Sequence, residues 1–370
     1  MKVVTVVGAR PQFIKAAVVS HELRKKHTEI LVHTGQHYDY NMSETFFEEL
    51  DIPKPDYNLG ISGGSHAQMT AKMMVAMEEV LQKEQPDWLL LYGDTNSTLA
   101  AALAAAKLYI KICHVEAGAR FHILTNPEEI NRVCTDHVSS KLLACTKSNF
   151  DELINEGLKD RAALVGDPMF DAFVEYSTKL NIKEAELKLL AETLDSNVDA
   201  DERTSEIKIA KVPDEYYYLT CHREENTNKE EALLEIFKAM NSLDAPTVYP
   251  VHPRNKLRAL KLKKNNGFDN IILAEPVGYL ESTALVRNAK KVVTDSGGLQ
   301  REAFFACKKC VTVLDFVVWP ETMIGNRNQL AKAIAEDIIE KLNTPQIVDE
   351  NYQPFGDGHS AIKIVEMLEK

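Results

Sequence analysis

Short apolar runs that alternate with helix-length amphipathic segments constrain this chain more than any other feature. The first run, Lys2–Val7, is continuous and β-branched. A strand apolar on both faces belongs in a parallel sheet covered by helices on either side. Gly8-Ala9-Arg10-Pro11 turns the chain, Pro11 suits a first helical position, and the helix that follows carries Lys15 about one turn in. Glu29–Thr34, Trp88–Tyr92, Lys111–Val115 and Lys141–Cys145 read as further strands, with helical patterns at Ser43–Leu50, Ser65–Lys83 and Thr98–Tyr109. Alternation of this kind implies right-handed crossovers and a doubly wound parallel sheet.

Val165-Gly166-Asp167-Pro168 closes this half. From Thr178 to Glu215, and above all over Asp195–Glu206, Lys, Glu and Asp dominate. The reading there is a helix followed by an exposed insertion. The alternation then restarts: strands at Tyr216–Thr220, Pro246–Val251, Ile271–Leu273, Lys291–Thr294 and Val311–Leu314, helices at Lys229–Leu243, Tyr279–Ala289 and from Leu299. The expected fold is therefore α/β, with two Rossmann-like doubly wound domains over 1–170 and 171–358. A last helix, His359–Leu368, carries Ile362, Val365 and Leu368 and is expected to cross back onto the first domain. Nearly every unusual polar cluster falls at a predicted strand end: Arg10, Asp94, Glu116, His222, His252 and Ser296. Strand ends are where open α/β sheets bind ligands, so the two sets are expected to face one cleft.

The formal charge of −12 over 370 residues argues against nucleic acid or an anionic membrane as a bulk partner. A small anion is still admissible, because a few clustered cations suffice to hold one. No apolar run approaches a membrane span and the N-terminus enters a strand at once, which points to a cytoplasmic protein. Of six cysteines, most sit in apolar runs. Cys307-Lys308-Lys309-Cys310 has Cys-x-x-Cys spacing, but there is no second pair to complete a zinc site, and it closes a helix instead of opening one.

Arg10 and Lys15 stand near a helix N-terminus, which makes an anion site or two surface cations. The turn lacks Gly-x-Gly-x-x-Gly, so a dinucleotide site is not supported. Asp94 follows a strand and either caps the next helix or acts in chemistry. His114-Val115-Glu116-Ala117-Gly118-Ala119-Arg120 leads to Asn126-Pro127-Glu128-Glu129-Ile130-Asn131-Arg132, which gathers carboxylates and cations at a strand end or simply forms a capped loop. In Asp295-Ser296-Gly297-Gly298-Leu299-Gln300-Arg301-Glu302 the glycine pair admits a ligand to backbone N–H groups at a helix start. Glu302, one turn on, is placed to accept from sugar hydroxyls.

These residues, taken in order, resemble the non-hydrolysing UDP-N-acetylglucosamine 2-epimerase family. The resemblance is carried by Gly8-Ala9-Arg10-Pro11-Gln12-Phe13-Ile14-Lys15, Gly35-Gln36-His37, Gly93-Asp94-Thr95, His114-Val115-Glu116-Ala117-Gly118, Pro127-Glu128-Glu129-Ile130-Asn131-Arg132, His222-Arg223-Glu224 with Asn226, and Asp295-Ser296-Gly297-Gly298. It runs nearly end to end; Asp195–Glu206 is the main part without a counterpart. It implies the GT-B fold of paired Rossmann-like domains, a homodimer and no cofactor or metal. It further implies that Arg10 and His222 bind the UDP diphosphate, that Arg132 is a cation near the sugar nucleotide, that Ser296, Gly297 and Gly298 cradle phosphate, and that Glu302 holds the ribose. The implied catalytic group is Lys15, Asp94, Glu116, Glu128 and His222.

The implied reaction is reversible C2 epimerisation of UDP-N-acetylglucosamine to UDP-N-acetylmannosamine. The C2 hydrogen is not beside a carbonyl, and expulsion of UDP from C1 acidifies it. Elimination gives 2-acetamidoglucal, and UDP adds back as a proton returns on the other face. Gly35–Tyr57, with Met42-Ser43-Glu44 and Ile52-Pro53-Lys54-Pro55-Asp56-Tyr57, looks like the sister branch acting on UDP-2,3-diacetamido-2,3-dideoxyglucuronate, the alternative reading. A GT-B glycosyltransferase, a hydrolytic epimerase and a non-enzymatic UDP-sugar sensor are further alternatives. This chain departs from the family at Phe121-His122-Ile123-Leu124, where a Ser or Thr and a polar loop are usual, and at Val317-Val318 before Trp319-Pro320-Glu321. Some bacterial members bind a second UDP-N-acetylglucosamine as activator through a Gln-His turn and a Gln preceded by Arg; here Gln36, His37 and Gln68 stand, and Ala67 precedes Gln68.

Overall fold

The computed structural model describes residues 1–36, 46–190 and 208–370. His37, Met42-Ser43-Glu44 and the charged stretch Asp195–Glu206 lie outside the described residues. The chain divides into two compact units, Met1–Glu175 with Asn351–Lys370, and Tyr176–Glu350.

In the first unit the strands are β1 (Lys2–Val7), β2 (Thr28–His33), β3 (Tyr57–Asn58), β4 (Trp88–Tyr92), β5 (Lys111–Val115), β6 (Lys141–Ala144) and β7 (Ala162–Leu164). Among the described residues they form one sheet in the order β3-β2-β1-β4-β5-β6-β7, and every pairing is parallel. Its core is what continuous apolar strands require: Val4, Val6, Leu89, Leu91 and Ile112 pack against Met77, Leu81, Ala101 and Ala105 of the helices His66–Glu84 and Asn96–Lys107. The alanines of the second helix let it lie close to the sheet.

The C-terminal helix Ser360–Glu369 belongs to this unit. Its Ala361 N–H donates to Asp171 Oδ2 (2.8 Å), Glu369 pairs with His27 (2.9 Å), and Lys141 Nζ donates to the Met367 carbonyl. The buried stripe is Ala361, Ile364, Val365 and Leu368, whereas Ile362 is exposed. Spacing of three and four residues, not uniform threes, follows a helix of 3.6 residues per turn.

In the second unit the strands are β8 (Glu186–Lys188), β9 (Ile209–Lys211), β10 (Tyr217–Thr220), β11 (Thr247–Pro250), β12 (Ile271–Ala274), β13 (Val292–Thr294), β14 (Cys310–Val313) and β15 (Asn328–Ala331). The last six form a parallel sheet in the order β12-β11-β10-β13-β14-β15. Leu219, Tyr249, Val293 and Val311 meet Leu233, Phe237 and Ile338 of the helices Glu230–Asn241 and Ala335–Asn343. β8 and β9 pair antiparallel, where the charged composition predicted a helix. Leu187 is buried between exposed Glu186 and Lys188, a period of two, and Leu190 N–H reaches the Leu273 carbonyl (3.0 Å). The strands β3, β7 and β15 were not legible in the sequence: β3 and β7 are only two and three residues long, and β15 opens on the polar Asn328 and Gln329.

The strand orders place the functional clusters. In the first unit the chain winds outward from β1 through β2 to β3, then starts again at β4 on the other side. The switch point is between β1 and β4. In the second unit it is between β10 and β13. A crevice opens beyond the carboxyl ends of strands at such a point, because their crossovers leave in opposite directions.

Candidate active site

At the first switch point two turns are sewn together. The β1 turn is Gly8-Ala9, and the β4 turn is Gly93-Asp94-Thr95. Gln12, buried in the helix Arg10–Leu23, accepts from Gly8 N–H (2.8 Å) and Ala9 N–H (3.1 Å). Its amide donates to the Tyr92 carbonyl (2.7 Å), Thr98 Oγ1 (2.9 Å) and Thr95 Oγ1 (3.1 Å). A Cβ on Gly8 would lie 2.3 Å from both Ser97 Oγ and Thr34 Oγ1, so only glycine passes there.

In the second turn of the helix Arg10–Leu23, Lys15 is buried, and its ammonium ion-pairs with Glu116 Oε2. Glu116 follows β5 with φ at +73°, a left-handed conformation unusual for a residue other than glycine. Gly93 lies against the pair: a Cβ there would be 3.5 Å from Glu116 Oε1 and 3.6 Å from Lys15 Nζ. The cation and the acid thus meet at the switch point with both side chains buried, where charge interactions are strong.

His114, one residue from the end of β5, is held on both sides. Nε2 donates to the Gly93 carbonyl (2.7 Å), and Nδ1 meets Asp136 Oδ1 (2.6 Å). Asp136 also accepts from Gly118 N–H (3.0 Å) and Arg120 (2.7 Å). Burial would raise its carboxyl, yet the neighbouring His114 and Arg120 hold it below the ordinary value. His114 and Asp136 therefore position the Gly93 turn and the loop that bears Glu116.

The helix Pro127–Val138 supplies the rest. Arg132 ion-pairs with Asp94, and its guanidinium lies 3.9 Å from the centre of the Phe121 ring. Asn131 donates to the Asp94 carbonyl (2.9 Å). Glu129 is buried and accepts Phe121 N–H and His122 N–H, each at 2.9 Å. Glu128 is half-buried in the first turn, where its own N–H donates to Asn126 Oδ1 (2.8 Å). Phe121, the departure noted in the sequence, is thus the surface on which Arg132 rests. Arg10 is half-buried at the start of its helix, with its guanidinium 4.5 Å from the Phe46 ring centre.

The second switch point is organised on Asp295. It is buried after β13 and accepts His222 N–H (2.9 Å), Arg223 N–H (2.8 Å) and the Asn226 amide (3.3 Å), while His222 Nδ1 lies 3.0 Å from Oδ1. Burial alone would raise this carboxyl; bonding and charge from His222, with the two backbone N–H groups, hold it at about 2. The His222 side chain is 40% exposed, and its ring stacks on His252 at 6.3 Å. Ser296 caps the helix Gly297–Phe305, its Oγ accepting Leu299 N–H (3.3 Å). First-turn N–H groups have no partner within a helix, so Gly297 and Gly298 begin an anion-binding end. Val318, from the second departure, packs on Gly297, 3.0 Å from where a Cβ would stand. Glu302 is buried on the same helix.

The sequence reading passed over Gln12, Glu129, Asp136, Asp167, Cys145 and the clamping role of Asp295. Glu129, Arg132 and Asp136 are spaced three and four apart on one helix face, which was the available signal for two of them. Among the described residues, Glu116, Cys145 and Asp167 bring potential metal-binding atoms within 4.8 Å of one another. Lys15 already provides that group with a cation.

Comparison with known proteins bears on this geometry. Residues 21–369 match the family model described as UDP-N-acetylglucosamine 2-epimerase. The chain belongs to the UDP-N-acetylglucosamine 2-epimerase family. A Methanococcus maripaludis protein named as a UDP-N-acetylglucosamine 2-epimerase homolog is 45% identical to this family member, over 100% of this chain and 99% of its own. The UDP-2,3-diacetamido-2,3-dideoxy-D-glucuronate 2-epimerase of Pseudomonas aeruginosa is 43% identical, over 100% of both chains. Among solved structures, the Methanocaldococcus jannaschii UDP-GlcNAc 2-epimerase, in complex with UDP-GlcNAc and UDP, superposes with a TM-score of 0.85. It is 37% identical and covers 100% of this chain and 99% of its own. The GT-B type of paired Rossmann-like domains is thereby the fold of this chain.

Proposed function

We propose that this chain is an isomerase that interconverts UDP-N-acetylglucosamine and UDP-N-acetylmannosamine by elimination and re-addition of UDP. The observation that carries the reading is the buried Lys15–Glu116 pair at a sheet switch point, in a chain of this family. The reaction needs an acid/base group shielded from water for a weakly acidic C–H, and fixed positive charge for a departing diphosphate. Glu116, Glu128 and Asp94 are our candidates for proton transfer, with Lys15 balancing Glu116. His222, oriented by Asp295, and Arg10 would take the diphosphate. Gly297 and Gly298, with Ser296, would cradle phosphate, Glu302 would hold the ribose, and Arg132 would fix Asp94 near the sugar.

A second substrate, UDP-2,3-diacetamido-2,3-dideoxyglucuronate, is favoured by the 43% identity to the Pseudomonas enzyme and by Ile52-Pro53-Lys54-Pro55-Asp56-Tyr57. Incubation with each UDP-sugar in deuterium oxide, followed by NMR, separates the readings. Epimerisation incorporates deuterium at C2 of the product and conserves UDP-sugar. Net loss of UDP-sugar to free sugar would overturn the non-hydrolysing assignment. The protein is further proposed to be a cytoplasmic homodimer. All six cysteines are free thiols, as suits a reducing compartment. Sedimentation at micromolar concentration tests the dimer. Among the described residues, no helix is long and apolar enough to cross a membrane.

A further inference from the structure

His114 is a histidine on β5 whose charge the roles above leave open. Its side chain and that of Asp136 are both 0% exposed. Nε2 lies 2.7 Å from the Gly93 carbonyl oxygen, and Nδ1 lies 2.6 Å from Asp136 Oδ1. A carbonyl oxygen only accepts, so Nε2 carries a proton. An ionised carboxylate only accepts as well. A neutral imidazole has one N–H and cannot serve both. The proton between Nδ1 and Asp136 therefore belongs either to the ring or to the acid. The other oxygen of Asp136 decides, because it already accepts from Gly118 N–H (3.0 Å) and from the Arg120 guanidinium (2.7 Å). A carboxyl that takes a guanidinium and a backbone N–H is stabilised in its ionised form. The proton then stays on the ring.

We propose that His114 is a positioning residue that works as a buried imidazolium: with both ring nitrogens protonated, it latches the Gly93 carbonyl to Asp136 and so holds the turn that carries Asp94. The inference rests on the epimerase reading, in which Asp94 is a candidate for proton transfer. Gly93 is gripped from three directions. Its carbonyl meets His114, its N–H donates to the Val115 carbonyl (3.0 Å), and a Cβ on it would lie 3.5 Å from Glu116 Oε1 and 3.6 Å from Lys15 Nζ. Asp94 is tied in turn by Arg132 at its side chain and by Asn131 at its carbonyl (2.9 Å). The groups that face His114 are few. Its partners across the sheet are the apolar Leu91 of β4 and Leu142 of β6. Asp136 comes from the helix Pro127–Val138, with Arg120 behind it and Glu156 beyond, bonded to Arg120 at 2.6 and 2.8 Å. The Lys15–Glu116 pair lies against Gly93.

The charge gives the latch a direction. If the ring lost one proton, the remaining N–H would stay with the Asp136 carboxylate, since a bond to an ionised acceptor is the stronger one. The Nε2 lone pair would then face the Gly93 oxygen at 2.7 Å, and the two would repel. The peptide between Gly93 and Asp94 would turn away and take Asp94 with it. Activity should therefore fall on the alkaline side as His114 loses its charge.

The test has two arms. In the first, the full chain carries 15N-histidine, and the His114 ring signals are assigned by their loss in His114→Gln and His114→Asn. At neutral pH both ring nitrogens of His114 should be protonated, with N–H protons that exchange slowly with solvent. A single protonated nitrogen, with the other proton on Asp136, would overturn the proposal. The second arm compares the two amides. Glutamine reaches as far as Nε2 and can still donate to Gly93, whereas asparagine reaches only as far as Nδ1 and can donate to Asp136 alone. His114→Asn should lower kcat by about 100-fold, through the displaced Asp94, while UDP affinity by calorimetry holds. His114→Gln should stay within about tenfold of wild type and lose the alkaline fall in kcat. Denaturant midpoints of both variants supply the control: a kcat that tracks stability, and not the bond to Gly93, would also overturn the proposal. If the imidazolium is seen but neither UDP-sugar turns over, the epimerase reading fails instead.

Discussion

His222 Nδ1 lies 3.0 Å from Asp295 Oδ1, joining residues 73 positions apart at the ends of two adjacent strands. The contact fixes which ring nitrogen faces inward and leaves Nε2 for a ligand. Asp295→Asn places an amide before three N–H donors. It should lower kcat/KM about 100-fold, measured with saturating and limiting UDP-sugar. The same residue predicts a pH effect. Its carboxyl falls from the ordinary 3.8 to about 2 in the fold. Its contribution, about 2 kcal/mol, is therefore complete above pH 4 and fades as pH falls toward 2. Denaturant midpoints of wild type and Asp295→Asn should converge over that interval.

Glu116→Gln should abolish turnover while UDP binds with nearly unchanged affinity by calorimetry. It also leaves the Lys15 ammonium buried beside a neutral amide. Breaking one partner of such a pair costs about 3 kcal/mol, so the melting temperature should fall. Lost UDP affinity would move Glu116 from proton transfer to nucleotide binding.

Glu128 and Glu129 are adjacent, and we assign them different tasks: Glu129 holds the Phe121 and His122 N–H groups, and Glu128 is a candidate for proton transfer. Glu129→Gln loses one of the two bonds to Phe121 and His122 N–H, and should cost about 1–3 kcal/mol with a raised KM. Glu128→Gln should leave the melting temperature unchanged and lower kcat by about 100-fold or more. Equal effects on stability would remove the distinction.

Gly8→Ala forces a methyl to within 2.3 Å of Ser97 Oγ and Thr34 Oγ1. Overpacking of this severity should cost about 3 kcal/mol or more by chemical denaturation. Turnover should fall too, because the displaced turn carries Arg10 and aligns the Lys15 helix.

Much of this was legible in the chain because it depends on local order. Runs such as Lys2–Val7 and Trp88–Tyr92 form strands at those same residues, since a continuous apolar, β-branched segment has one stable place to go. The turns that end them hold Arg10, Asp94, Glu116, His222 and Ser296, as strand-end placement implied. The antiparallel β8–β9 pair was not legible, because its composition is charged and only one buried leucine marks the period. Nor were β3, β7 and β15, whose pairing comes from neighbours and not from propensity.

By itself the sequence determined the alternation, the winding sense, the strand-end positions of the functional residues and the family they resemble. Those follow from chirality, hydrophobic period and motif order, which are written along the chain. Only the tertiary structure decided which charges meet. Lys15 and Glu116 are 101 residues apart, and His222 finds Asp295 across a strand pairing. Asp167, read in the chain as a closing turn, comes to face Glu116 only because β5, β6 and β7 stand side by side. Side-chain partnership depends on packing at long separation, and no local pattern encodes it.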